Sequence, residues 1–256
     1  MTVFEGKFKA VTFSYDDGVL QDKRLIEMLN KYGLKCTFNL NSGFLGKSGS
    51  LVRNDVTVAH CKPRVCETRA IYEGHEVAVH TIHHPQLTKL STKKVIREVE
   101  DDRKALSDIV GYEVVGMAYP CSTEASQNDR VVSLLQRFTG VQYSRNTVSS
   151  YNFEPQADLL RFRPTLHHTE WNELFRLGEE FVSLKTDKPK IFYIWGHSYE
   201  FDISNDWAKF EEFCRLISGK DDIYYGTNKD VLLDPDLLSH TGVKLHSYRK
   251  RKPFEK

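Results

Sequence analysis

The sequence predicts a single α/β domain in which a barrel-like sheet of parallel strands is covered by helices. Short β-branched or aromatic segments alternate with longer amphipathic segments along the chain, a pattern typical of parallel strands joined by crossover helices. Seven or eight such units follow one another with no linker of distinct composition, over a core of about 9–240. The 256 residues, 40% of them hydrophobic, are enough to bury one large core without stabilising disulfides. We therefore treat 1–256 as one domain.

Strands are predicted where β-branched or aromatic runs lie between polar or turn-forming residues. The first of them, with the sequence A-V-T-F-S, is typical of a strand buried on both faces. The predicted strands are 10–14, 36–40, 76–79, 114–118, 141–144, 159–162, 191–195 and 223–225. The segment 45–63 contains Gly, Ser and mixed charges without periodicity, and we expect an excursion or a small hairpin there.

Helices are predicted from apolar residues at helical spacing. In 21–32, Leu25, Ile26 and Leu29 share one face, and Gly33 is a plausible C-cap. The segment 92–110 has a long apolar face opposite a charged one. The predicted helices are 21–32, 64–72, 92–110, 129–138, 170–184, 207–217 and 229–238.

The charge balance argues against a nucleic-acid partner. The chain has 36 Lys and Arg residues against 35 Asp and Glu residues, which gives a formal net charge of +1. A dedicated nucleic-acid-binding domain is markedly basic. The basic tail at 244–256, which contains Arg249–Lys252, is expected to be a solvated terminus.

The cysteines and the apolar segments predict a cytoplasmic protein without membrane contact. The five cysteines are odd in number and scattered, with no C-x-x-C pair, which is typical of a reducing compartment. The first residues lack the pattern of a signal peptide, and no apolar run approaches the ~20 residues of a membrane-spanning helix. A trimmed leader would leave the same sequence, and the residues leave the oligomeric state open.

Polar residues follow three of the predicted strands, and in an α/β barrel these strand ends form the active face. The first segment is Ser14-Tyr-Asp-Asp-Gly18. Its two carboxylates could cap a helix, or one could bind a metal while the other takes a proton from water. The second segment contains His80 and His84, whose spacing of four predicts that both imidazoles lie on one side of a helical turn and share a cation. The third contains His197, just past a strand.

Together these segments resemble the polysaccharide deacetylases, the NodB-homology or carbohydrate esterase four family. Ser14-Tyr-Asp-Asp-Gly18 is similar to the family's T-F-D-D-G motif, and His80-Thr-Ile-His-His-Pro85 to its H-[ST]-x-x-H-P motif. Tyr119-Pro120 stands where the family has its third motif, and Trp195-Gly-His197 where it has its closing histidine. The motifs occur in the family's order over nearly the whole chain.

The resemblance implies a distorted (β/α)7 barrel that removes acetyl groups from carbohydrates with a divalent metal. Zinc is the expected ion, with cobalt, nickel or manganese as alternatives. By position, the resemblance implies these roles: Asp16 as general base; Asp17, His80 and His84 as metal ligands; His197 as general acid; the backbone N–H of Cys121 as an oxyanion donor; and Tyr119, His167 and Trp195 as further residues around the substrate.

This sequence departs from the family pattern at two positions. The third motif usually begins with an arginine that orients the catalytic aspartate, but Ala118 stands there. We expect Arg145, at the end of the next strand, to contact Asp16 instead, with Arg163 as the second candidate. The fourth motif usually supplies an aspartate that tunes the acid histidine, but His167 stands there, beside His168.

These departures leave several substrates open. The leading hypothesis is a deacetylase acting on an N-acetylated amino sugar. The alternatives are an O-acetyl esterase on xylan-like material, a cyclic amide hydrolase resembling allantoinase, and a pseudoenzyme that binds glycans without chemistry. Tyr199, Phe201 and Trp207 follow the closing histidine and could either stack on a sugar ring or pack in the core.

Overall fold

The computed structural model describes residues 3–246 and contains one curled sheet of parallel strands and a separate hairpin. The strands are β1 (Lys9–Asp16), β2 (Cys36–Leu40), β3 (Ser50–Arg53), β4 (Val56–Ala59), β5 (Glu76–Val79), β6 (Gly116–Ala118), β7 (Tyr143–Arg145), β8 (Leu166–His167), β9 (Lys190–Gly196) and β10 (Ile223–Tyr225). The sheet order is β7-β6-β5-β2-β1-β9-β8, and β10 pairs with the first half of β1. β3 and β4 form the antiparallel hairpin, within the segment where the sequence predicted an excursion.

The barrel is closed by backbone hydrogen bonds from the segment between residues 162 and 168. At its start, the N–H of Phe162 donates to the carbonyl of Ser144 over 3.0 Å, in β7. At its end, the N–H of Thr165 donates to the carbonyl of Tyr193 over 2.8 Å, in β9. Since this segment contains the outer strand β8 and also bonds to β7 at the opposite edge of the sheet, the curled sheet forms a distorted barrel with helices outside. The predicted fold class is confirmed.

Helices cover the outside of the sheet. They span Asp22–Lys31, Val65–Ile71, Thr92–Ile96, Asp102–Val110, Thr123–Ser126, Asp129–Phe138, Trp171–Ser183, Glu200–Ser204, Trp207–Ile217, Asn228–Leu232 and Pro235–Thr241. The longest of them has 13 residues. Between residues 3 and 246, none is long and apolar enough to cross a membrane.

The two faces of β1 explain why a polar site can lie inside an apolar fold. Every residue of this strand is buried, as expected for a central parallel strand. Phe13 and Tyr15 point outward and meet the ring of Phe210 with centroids 6.1 and 6.2 Å away. Because side chains alternate along a strand, Ser14 and Asp16 lie on the inner face, at the carboxyl end.

Three predicted elements differ from the structure. The segment 159–162 is not a strand. Leu159–Arg161 forms a 3-10 turn, and pairing with β7 is limited to an isolated bridge from Phe162 to Arg145. The helix predicted over 229–238 is two helices, because Pro235 cannot continue the first and instead begins the second. The helix predicted over 92–110 contains a π-helical turn at Arg97–Asp101. The basic residues 249–252 lie outside the described part of the chain.

Candidate active site

Asp16 ends β1 at the centre of the candidate site, and it is 2% exposed. The Nη2 of Arg145 donates to its Oδ2 over 2.5 Å, and the Nδ2 of Asn39 donates to its Oδ1 over 2.8 Å. Burial favours the neutral acid, but the charge of Arg145, its hydrogen bond and the charge of His197 outweigh this effect and hold the pKa of Asp16 below its usual value. Asp16 is therefore ionised and held in a fixed direction.

Strand register explains how Arg145 reaches Asp16. Arg145 pairs with Ala118 across β6 and β7, so it lies beside the position where the family usually has its arginine. Its guanidinium carbon stacks 4.2 Å from the centroid of the Trp195 ring. The second candidate, Arg163, is exposed and donates instead to the backbone carbonyl of Ser149. The predicted contact between Arg145 and Asp16 is present.

Asp17 begins the turn after β1, with a positive φ of 77°. Its Oδ1 lies 3.8 Å from the Nε2 of His80 and 3.9 Å from the Nε2 of His84. Its Oδ2 lies 3.5 Å from the Nε2 of His60, and its backbone carbonyl accepts a hydrogen bond from the buried Lys62. Burial again favours the neutral acid, but His60, His197 and Lys62 hold the pKa of Asp17 well below its usual value.

His80 follows β5 and is held by both its backbone and its ring. Its N–H donates to the carbonyl of Leu40 over 2.9 Å, and its Nδ1 lies 2.9 Å from the carbonyl of Ala118. Burial lowers the pKa of His80 to about 4, so the ring is neutral and its one proton bonds to that carbonyl. The lone pair on Nε2 then faces the Asp17 carboxylate, which can only accept.

His84 completes the cluster from an irregular loop. The helical turn predicted from its spacing to His80 is wrong: Thr81 and His84 have φ angles of 69° and 53°, and no helix lies between them. The loop is held by a hydrogen bond from the N–H of His84 to the Oγ1 of Thr81 over 3.1 Å. One ligand atom each from Asp17, His80 and His84 lie within 4.8 Å of one another and could hold a metal ion.

His197 follows β9, and its backbone and ring both contact Glu200. The strand register pairs Tyr15 with Gly196, so Asp16 and His197 come next on neighbouring strands. The N–H of His197 donates to the Oε2 of Glu200 over 3.0 Å, and its Nδ1 lies 3.2 Å from the same oxygen. Burial would lower the pKa of His197, but the Glu200 carboxylate raises it to about 9.

The comparisons with known proteins decide the family. The sequence model of the family described as polysaccharide deacetylase matches residues 5–143 of this chain. This chain belongs to the polysaccharide deacetylase family. It is 28% identical over 114 residues to the peptidoglycan-N-acetylglucosamine deacetylase PgdA of Listeria monocytogenes, a match covering 44% of this chain and 21% of PgdA. It is 24% identical over 98 residues to the uncharacterized protein YlxY of Bacillus subtilis, covering 38% of this chain and 26% of YlxY. The chain thus spans about a fifth to a quarter of these curated relatives.

Two solved structures share the fold of this chain. One is a family 4 carbohydrate esterase from Streptomyces lividans in complex with acetate, with a TM-score of 0.52, 15% identity and coverage of 86% of this chain and 92% of that one. The other is the Xyl-CE4 domain of a multidomain xylanase from the hindgut metagenome of Trinervitermes trinervoides, with a TM-score of 0.55, 16% identity and coverage of 93% and 94%.

Of the remaining predicted site residues, Cys121 and Trp195 lie beside histidines of the site, whereas Tyr119 does not. Cys121 has a φ of 60°, its backbone N–H has no acceptor among residues 3–246, and its Sγ lies 3.6 Å from the Nδ1 of His84. Trp195 is 8% exposed and packs with its centroid 4.4 Å from that of His167. Tyr119 is a correction: its hydroxyl donates to the carbonyl of Leu160 and its N–H to that of Arg145. Both of its donors are used in the core, so it does not contact the site.

The aromatic residues after His197 pack in the core and are not available to a sugar ring. Tyr199, Phe201 and Trp207 are 1%, 1% and 4% exposed. Phe201 stacks on His168 with centroids 4.3 Å apart and on Trp207 at 4.7 Å. The packing alternative therefore holds for these three side chains.

Two carboxylates at this site were missed by the sequence analysis. Glu200 lies three residues after His197, a spacing that gives a signal for a contact across one turn. Asp102 lies just after the π-helical turn, and its oxygens accept the N–H of Ser42 over 2.8 Å and the N–H of His80 over 3.3 Å. Burial raises the pKa of Asp102 to about 7. No sequence pattern connects Asp102 with His80, since a distant helix brings it there.

Proposed function

We propose that this protein is a metal-dependent deacetylase that hydrolyses the acetyl group of an acetylated carbohydrate, with the amide of an N-acetylated amino sugar as its leading substrate. The observation that carries this proposal is the pairing of a buried, ionised Asp16 with a His197 whose pKa lies near 9. A hydrolase of amides needs a base and an acid that are in opposite protonation states at the same pH. These two residues have that property at neutral pH.

Asp17, His80 and His84 are the residues that would hold the cation. The fit is supported by the neutral His80, whose Nε2 lone pair faces a carboxylate oxygen 3.8 Å away. Two acceptors in that position repel each other, and a cation between them removes the repulsion. Two imidazoles and one carboxylate are a typical ligand set for catalytic zinc. When bound, such an ion polarises the substrate carbonyl and makes a water molecule more acidic.

Asp16 acts as the general base in this proposal. It accepts the proton of the attacking water, because Arg145 and Asn39 keep its carboxylate charged and fixed in direction. An arginine is suited to this role since its guanidinium stays protonated at any pH at which the protein is folded. Arg145 is thus a positioning residue that acts through Asp16.

His197 acts as the general acid and Glu200 positions it. The Nδ1 of His197 faces the Glu200 carboxylate, which leaves Nε2 as the nitrogen that donates a proton to the departing sugar nitrogen or oxygen. The backbone N–H of Cys121 has no protein acceptor among the described residues, so it is available to the oxyanion that forms on the acetyl carbonyl.

The experiment is a measurement of acetate release from a panel of acetylated compounds, with zinc-loaded and chelator-treated protein. The panel contains an N-acetylglucosamine oligomer, an O-acetylated xylan and an aryl acetate, with allantoin ring opening assayed alongside. We expect acetate from the N-acetylated sugar in the zinc-loaded protein. Ring opening of allantoin, release from the xylan alone, or binding of the oligomer without acetate release would each replace the proposal with one of its alternatives.

A further inference from the structure

A second set of metal-ligand atoms lies beside the Asp17 cluster. The Nε2 of His167 lies 3.3 Å from the Oε2 of Glu200, and the Nδ1 of His197 lies 3.2 Å from the same oxygen. Ligand atoms of these three residues all lie within 4.8 Å of one another. None of the three belongs to the Asp17 cluster, so this is a separate group of two imidazoles and one carboxylate.

Two of the three separations between these atoms match those of ligands around a small cation. A tetrahedral zinc ion with bonds of about 2.0–2.1 Å holds its ligand atoms about 3.3–3.4 Å apart. The two nitrogen-to-oxygen distances of 3.3 and 3.2 Å are close to that edge length. The Asp17 cluster, with separations of 3.8 and 3.9 Å, is the wider of the two.

Two imidazole nitrogens at Glu200 also have no partner in hydrogen-bond geometry within residues 3–246. They are the Nδ1 of His197 and the Nε2 of His168, and both atoms are buried. His168 is fully buried, and its Nε2 lies 3.2 Å from the same Glu200 oxygen. The Nδ1 of His197 thus faces the Glu200 oxygen as an ion pair without a directed hydrogen bond, and a cation bound between them would give both atoms a ligand bond.

The group is accessible from the site. The side chains of His167, His197 and Glu200 are 17%, 16% and 13% exposed, so an ion can reach them without unfolding. Arg53 lies 3.4 Å from the other oxygen of Glu200. Its positive charge contacts the ligand carboxylate itself and opposes a cation, whereas Lys62 donates to the backbone carbonyl of Asp17 and not to its carboxylate. This group should therefore bind more weakly than the Asp17 cluster.

We propose that His167, His197 and Glu200 form a second divalent-cation site, which takes zinc when zinc is in excess and thereby withholds His197 from proton transfer. The inhibitory effect rests on the proposed role of His197 as general acid, whereas binding itself does not. An imidazole whose Nδ1 is bonded to a metal keeps its Nε2 proton firmly and does not return to the imidazolium form. Zinc therefore activates the protein at the stronger site, the Asp17 cluster, and inhibits it at the weaker site formed by His167, His197 and Glu200.

The test is a zinc titration of metal-free protein by calorimetry, together with anomalous diffraction of crystals soaked in excess zinc. Wild type should bind two equivalents. His80→Ala should lose the stronger one and keep the weaker, whereas His167→Gln should lose the weaker one only. His240→Gln, which removes an exposed imidazole on a distant helix, is the matched control and should bind both. A zinc peak between His167 and Glu200 gives a readout that does not depend on activity or on how the variants fold.

Activity completes the test, measured for each variant as its rate in excess zinc relative to its rate at one equivalent. With zinc at about ten times the Kd of the weaker site, about a tenth of wild type stays uninhibited, so the rate falls about tenfold. His167→Gln should lose less than about twofold under the same mass-action treatment. Binding by wild type of a single equivalent that His80→Ala removes, or a second equivalent that persists in His167→Gln without an anomalous peak at Glu200, would overturn the proposal. A single equivalent that His167→Gln removes and His80→Ala keeps would count against the proposed function and not against this site.

Discussion

Arg145 and Asp16 form a buried ion pair across the interior of the barrel, between strands that are not neighbours. β7 and β1 are separated by three strands in the sheet, yet the Nη2 of Arg145 lies 2.5 Å from the Oδ2 of Asp16. The two side chains are 0% and 3% exposed. This ion pair keeps the carboxylate of Asp16 charged and fixes its direction.

Removing both members of this pair should cost less stability than the sum of the two single removals. Arg145→Met leaves an unpaired buried carboxylate, and breaking a buried pair in this way costs about 3–5 kcal/mol. Asp16→Asn together with Arg145→Met removes both charges. The double variant should therefore lose less free energy of unfolding than the two single variants lose in sum. Urea unfolding of the three variants measures this coupling. Arg163→Met removes an exposed arginine and is the control. Additive losses would mean that the two side chains do not interact.

His197→Ala should affect substrates according to their leaving groups. An amide nitrogen cannot depart as an anion, whereas an aryl oxide departs without help. We expect a loss of about 10²–10⁴-fold on an N-acetylated sugar, the usual contribution of general acid catalysis, which corresponds to roughly 2.7–5.5 kcal/mol of barrier. An aryl acetate should lose far less. Asp16→Asn should impair both substrates, because they share the attacking water. Equal losses on both substrates in His197→Ala would show that His197 binds or stabilises charge instead.

Glu200→Gln should move the alkaline limb of the pH profile to lower pH. The Glu200 carboxylate raises the pKa of His197 to about 9, so the acid stays protonated through neutral pH. Without that charge, burial dominates and the pKa falls, so activity is lost earlier as the pH rises. The groups that face His197 are Glu200, Asp16, Asp17, His167, His168 and the Tyr199 ring.

The measurement for Glu200 is the pH dependence of kcat/KM, with the titration of His197 followed by NMR in the same variant. Glu173→Gln, which changes an exposed glutamate, is the control and should leave both curves in place. The same linkage predicts a stabilising effect of the Glu200 pair that is fully present below the ordinary histidine pKa of about 6.5 and disappears as the pH rises through about 9. If the alkaline limb does not shift in Glu200→Gln, that limb reports the titration of a group other than His197.

His80→Ala and His84→Ala should abolish acetate release while leaving the fold intact. His84 lies in a loop and is partly exposed, whereas His80 is buried and its ring donates to the carbonyl of Ala118. Circular dichroism should therefore change little in both variants and the urea midpoint should fall only in His80→Ala, whereas zinc content should fall in both. Ligand distances near ~2.0–2.2 Å are expected in the zinc-loaded protein. Full turnover of either variant in chelator would exclude the assigned ligands.

Much of the fold was predictable because parallel strands buried on both faces appear as continuous apolar or β-branched runs. This holds for Cys36–Leu40 and Glu76–Val79, whose predicted and observed bounds agree. The strand that closes the barrel has two residues, Leu166–His167, which is too short for any periodicity. The break before Pro235 was indicated by the proline itself. The apolar pattern continues across this residue, however, and therefore favoured a single helix.

The site was predictable to the extent that its residues follow strands. Asp16, Asp17, His80, Arg145 and His197 all stand at or next to strand ends, and parallel strand ends meet at one edge of the barrel. Glu200 and Asp102 contact the site from helices, so only the folded chain brings them there. Tyr119 shows the opposite error, since side-chain alternation along a strand turns it into the core although its neighbours in sequence reach the site.

Acetate release during a zinc titration of metal-free protein tests the central claim most directly. The substrate is an N-acetylglucosamine oligomer, and bound zinc is counted in the same samples. The proposed site predicts no turnover in the metal-free protein, a rate that rises linearly with zinc up to one equivalent, and no rise in Asp16→Asn at any zinc concentration. Undiminished acetate release from metal-free wild type, or zinc-loaded Asp16→Asn turning over as fast as wild type, would contradict it.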